Sequence, residues 1–167
     1  MPEVLTNVDV SRIFLNLGVS SDGLFGGCIK PASLNYLCPT EAYVRGALVP
    51  RYLRKLESNG QTVYDAKKRD CSKFAIKFLD FCNDDFAESD VDLSAIGGPC
   101  AVAVAKISGP APWNPALRHQ FAALIVEAQK IIAVETVYSG LDGAPPAMRF
   151  YDLTGYDWTQ VSLLEMP

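Results

Sequence analysis

Three side chains of this 167-residue sequence have the types that thiol-dependent acyl transfer needs: Cys71, His119 and Glu135. In that chemistry a thiolate attacks a carbonyl carbon. An imidazole holds the thiolate and later protonates the leaving group, while a polar group orients the imidazole. The chain offers a cysteine that opens a helix, then its single histidine on a strand, then an acid on the following strand. Asp70, Trp113 and Tyr138 are the residues expected to border a bound ligand.

The helix that must carry the thiol is legible in the spacing. A polar, basic run ends at Asp70, and Cys71, Phe74, Ala75, Phe78, Leu79 and Cys82 then recur as one helical stripe. Asp70 is placed as the N-cap, accepting from free amides of the first turn. Cys71 at the first helical position meets the positive end of the helix dipole, which favours the thiolate. Lys67, Lys68 and Arg69 push the same way and Asp70 opposes them. The plainer reading is that Cys71, on a stripe with Phe74 and Phe78, is a buried structural thiol.

The strands that must carry the other two groups lie in the second half. His119 is read as opening an apolar run that ends near a turn at Ala128-Gln129, and a second run passes through Glu135 to Tyr138 before Ser139-Gly140. These two runs read as an antiparallel hairpin. Side chains alternate, so a two-residue turn would place His119 and Glu135 on opposite faces. An odd-length loop or a bulge brings Glu135 diagonal to His119 on one face, and the chemistry predicts such a loop.

Elsewhere, residues 1–18 suit a helix, with Asp9 or Ser11 as start signals and Gly18 as the stop. Residues 20–27 read as loop, and Pro31 argues against a long regular element at 28–37. Pro39-Thr40-Glu41 starts a helix that Pro50 ends or restarts, and Asn59-Gly60 turns the chain. Residues 83–92 read as a solvated acidic loop without the glycine and final glutamate of an EF-hand. Residues 100–107 form one apolar run of strand length, followed by a Pro- and Gly-rich loop at 108–115 that holds Trp113. Residues 143–146 turn, 148–152 form a short strand, and a looser, irregular tail runs on through Trp158 to Pro167. Helices first and strands afterwards give an α+β chain, read as a single domain over 1–167.

Composition excludes several classes. Hydrophobic residues make up 49% and charged residues 20%, an ordinary globular balance. A net charge of −4 disfavours nucleic acid as partner, and the cations Arg51, Arg54, Lys55, Lys67, Lys68 and Arg69 read as a solvated face. No apolar run approaches the roughly 20 residues of a membrane span, and the start lacks a signal-peptide pattern, so a cytoplasmic protein is expected. Five cysteines without close pairs, and one histidine, give neither a zinc cluster nor a forced disulfide. Cys71 and Cys82 stand about 16 Å apart along one helix and cannot bridge, while a Cys28–Cys38 bridge stays open.

Asp70-Cys71-Ser72-x-Phe74 resembles the Asp-Cys-Ser motif that opens the nucleophile helix of NlpC-type cell-wall cysteine peptidases and their papain-like relatives. The wider pattern, with His119-Gln120-Phe121 and Val134-Glu135-Thr136 before Ser139-Gly140, resembles small phage-borne proteins labelled "lectin-like". The resemblance implies a papain-like α+β fold, with N-terminal helices packed on a C-terminal antiparallel sheet. It implies Cys71, His119 and Glu135 as the polar centre of a cysteine hydrolase, with a peptide, a glycan or a small amide as substrate or ligand and without cofactor or metal. The alternative is a module of the same fold that binds a carbohydrate or a host protein without turnover. Oligomeric state is not legible.

Overall fold

The apolar runs at 121–126 and 131–134 lack the alternation of a half-exposed strand, because both faces of the sheet they form are covered. In the computed structural model, which describes residues 3–23, 33–61, 71–87, 96–135 and 149–167, these runs belong to β5 (Asn114–Ile125) and β6 (Ile131–Glu135). With β4 (Val104–Ala111), β7 (Arg149–Asp152) and β8 (Ser162–Glu165) they build a five-stranded antiparallel sheet in the order β7-β6-β5-β4-β8. Phe121, Ala123, Ile125 and Ala133 pack on one face against Val10 and Phe14 of α1 (Asn7–Asn16) and Trp158. Ala122, Leu124, Ile132 and Val134 pack on the other against Phe74, Phe78 and Cys82 of α4 (Cys71–Ala87) and Tyr52 and Leu56 of α3 (Val49–Ser58).

A second, three-stranded sheet has the order β1-β2-β3, with β1 at Glu3–Thr6, β2 at Asn35–Cys38 and β3 at Cys100–Val102. The class is α+β, as the order of patterns predicts. The apolar run at 100–107 is two strands rather than one. It changes sheets at Ala103, whose N–H donates to the Leu37 carbonyl at 2.9 Å while its own carbonyl accepts from Ile125 N at 2.8 Å. Both backbone groups are satisfied by different sheets, so the crossing leaves no buried amide unpaired.

Other boundaries move for local reasons. The first helix starts after β1, with Thr6 as cap. Asp9, read as a start signal, is instead the third residue of a capping box: its N–H donates to Thr6 Oγ1 at 3.2 Å and its carboxylate accepts from Thr6 N at 3.0 Å. Gly18 stops the chain with φ of +107°, a conformation glycine adopts freely. The helical path begun by α2 (Glu41–Tyr43) passes Pro50 through a π-helical turn, Val44–Leu48, and Pro50 sits in the first turn of α3, where its missing N–H is tolerated.

Asn83 to Ala87, expected as loop, continue α4. There Asp85 pairs with Arg51 at 2.8 Å and Asp84 with Lys55 at 3.7 Å, so part of the acidic run meets part of the basic face. Ser108 to Ala111, also expected as loop, are strand. Gly109 lacks a Cβ that would otherwise lie 2.9 Å from the Tyr156 hydroxyl, and that hydroxyl donates to the Pro110 carbonyl. The tail is not irregular throughout: β8 pairs with β4 through Leu163–Ile107 and Ser162–Ser108. Among the described residues no helix is long and apolar enough to cross a membrane.

Candidate functional site

The loop between β5 and β6 decides whether an acid can reach the histidine. It has five residues, 126–130, with Ala128 and Gln129 both left-handed at φ 58° and 56°. The register pairs Ala122 with Val134 and Ile125 with Ile131, which sets Glu135 across from Phe121 and diagonal to His119 on the same face. The expected odd-length loop is present.

His119 Nε2 lies 2.8 Å from Glu135 Oε2, both side chains largely buried at 16% and 10% exposure. Nε2 faces the carboxylate, and the Cys71 side chain is close enough to the same ring to interact with it. Cys71 is the first residue of α4 and half-buried. The contact forms at the end of the sheet, where His119 lies three residues beyond the last described β5–β6 pair, Ala122–Val134. Cys71 therefore sits where the helix dipole favours the thiolate, with its hydrogen-bonding partner in place.

Burial of the imidazole works against its charge. The hydrogen bonds to Cys71 and Glu135, with the negative charges of both, outweigh it and push the His119 pKa from 6.5 up to about 9. The other described thiols are held protonated: burial raises Cys38 to about 12, and also raises Cys82 and Cys100. Cys38, Cys71, Cys82 and Cys100 are all free thiols.

Trp113, expected to border a ligand, has its ring 4.8 Å from the His119 ring in an edge-on arrangement and is 39% exposed. It sits in the two-residue turn between β4 and β5 rather than in a long loop, and His119 is six residues into its strand instead of opening it. Asp70 and Tyr138, along with Cys28 and the cations Lys67, Lys68 and Arg69, lie outside the described residues.

Two residues near the centre were missed. Tyr151 packs 5.3 Å from Trp113, extending the aromatic array, and Arg149 stands directly across from Glu135 on β7. The alternation of Arg149 and Tyr151 was readable, but the β6–β7 register that brings them to this face has no local signature.

No family model matches the chain, and no curated protein matches it. A solved structure described as "PSL1a-E64 complex" is similar in fold, with a TM-score of 0.59 at 13% identity, over 97% of this chain and 49% of that one. This chain thus spans about half the length of that neighbour, and the likeness is one of fold.

Proposed function

We propose that this chain is a papain-like cysteine hydrolase that cleaves an amide or ester bond through a thioester on Cys71. The observation that carries the reading is the placement of one imidazole between a helix-opening thiol and a buried carboxylate. The Cys71 thiolate adds to the substrate carbonyl carbon, and first-turn amides of α4 stabilise the oxyanion. As the tetrahedral adduct collapses, protonated His119 gives its proton to the leaving nitrogen or oxygen, and the thioester remains. Neutral His119 then takes a proton from water as the hydroxide adds to the thioester, and collapse of that adduct breaks the C–S bond, releasing the carboxylic acid and leaving the thiolate–imidazolium pair. Glu135 orients the ring and balances its charge. Four free thiols suit a reducing compartment such as the cytoplasm.

The test is acid-quenched mass spectrometry after mixing with p-nitrophenyl acetate. The expected result is one acetyl group on the peptide that contains Cys71, decaying with time and absent from the His119→Ala protein. E64, named with the solved neighbour, is a second probe, and an adduct confined to Cys71 supports the reading. Acetylation spread over several cysteines, or none at Cys71, returns the chain to the alternative of a binding module without turnover.

A further inference from the structure

We propose that the groove beside Trp113, walled by Pro112 of the β4–β5 turn, by β7, by residues 153–157 and by Gln160, is a subsite for the lysine or arginine side chain of a peptide substrate. This rests on the hydrolase reading above for the word substrate, and on the groove itself for the chemistry. The cavity holds about 540 Å³, and its walls include Pro110, Pro112, Tyr151, Tyr156, Asp152 and Asp157. That volume lies within the range of small-ligand sites. It borders the candidate centre, since Tyr151 contacts Trp113 and Trp113 contacts His119.

The polar atoms of the walls decide which ligand fits. Most of their donors are already engaged. The Tyr156 hydroxyl donates to the Pro110 carbonyl, the Thr154 hydroxyl to Asp152 at 2.6 Å, and the Gln160 amide to Asp157 at 2.9 Å. Prolines contribute no N–H. The groove therefore presents acceptors and tyrosine side chains, an arrangement that disfavours carboxylates and phosphates and suits a cation.

Charge points the same way. Asp152 is balanced by Lys130 at 3.0 Å, which also holds Glu41 at 2.9 Å. Asp157 caps the turn that follows it, its carboxylate accepting from Thr159 and Gln160, bonds that keep it ionised, and no described cation forms an ion pair with it. Arg118 stands at the margin, 3.5 Å from the Gln160 carbonyl, and is not part of the wall. Among the described residues, Asp157 is thus a wall carboxylate with no ion-pair partner, and the Arg118 charge is felt at Tyr156 beside it.

The experiment is an amide-resolved NMR titration of the whole chain with acetyl-Gly-Lys-Gly-amide, its norleucine counterpart and a trimer of N-acetylglucosamine. The lysine peptide is expected to shift the signals of Tyr151, Gly155 and Asp157, and to bind at least about fivefold more tightly than the norleucine peptide. Asp157→Asn is expected to remove that preference. Equal affinity for the two peptides, no shift at these residues, or shifts with the sugar alone would each overturn the proposal. The readout involves no thiol chemistry, so it can fail while Cys71 acylation succeeds, or the reverse.

Discussion

At the scale of single residues, the chemistry turns on a proton that His119 keeps longer than a free imidazole does. Its folded pKa is about 9 against an ordinary 6.5. A raised pKa means the folded state binds the proton more tightly, so this pair contributes its full stability below about pH 6.5 and loses it as the pH rises through 9. The ring is partly exposed, and solvent screening leaves on the order of 1–2 kcal/mol. Urea unfolding between pH 6 and 10 is expected to show that fall in wild type and a clearly smaller one in Glu135→Gln; identical profiles would remove Glu135 from the site. Residue type and chain order make Cys71, His119 and Glu135 legible in the sequence. Tyr151 and Arg149 were not, because only a long-range register assigns them a face.

At the scale of elements, the five-residue β5–β6 loop is the part on which the site depends most. Deleting Ala128 leaves an even loop and moves Glu135 to the opposite face, so alkylation of Cys71 is expected to fall to the rate of His119→Ala while the circular dichroism stays folded. Ala128→Gly is the control: it relieves a left-handed alanine, is expected to add about 0.5–1 kcal/mol of stability, and leaves alkylation unchanged. Unchanged alkylation in the deletion would mean that loop length does not set the pair. The amphipathic stripe of α4 and the hairpin were readable because each is encoded within a dozen residues. Strand β8 and the strand character of 108–111 were not, since the latter depends on Gly109 and Tyr156, distant in sequence, fitting together.

For the whole molecule, the sheet is clamped between two apolar clusters, and the one under α4 also fixes where Cys71 stands. Phe78 is fully buried in that cluster with its ring 5.0 Å from Tyr52. Phe78→Ala is expected to cost about 3–5 kcal/mol in urea unfolding, whereas Lys130→Ala, at an exposed ion-pair bridge, costs under about 1 kcal/mol. A small effect at Phe78 would mean that α4 is not anchored as described. The α+β class followed from the order of patterns. The division into two sheets did not, because the run at 100–107 gives no sign of the change at Ala103, which hydrogen bonds to both sheets determine.

The pairing of thiol and imidazole is tested most directly by the pH dependence of iodoacetamide labelling, with the modified cysteine located by mass spectrometry, in wild type and His119→Ala. Cys71 alone is expected to label fast below pH 7 and to lose this on removal of His119, while Cys38, Cys82 and Cys100 react only at high pH or on unfolding. Labelling of Cys71 no faster than the others, or unaffected by His119→Ala, would contradict that pairing.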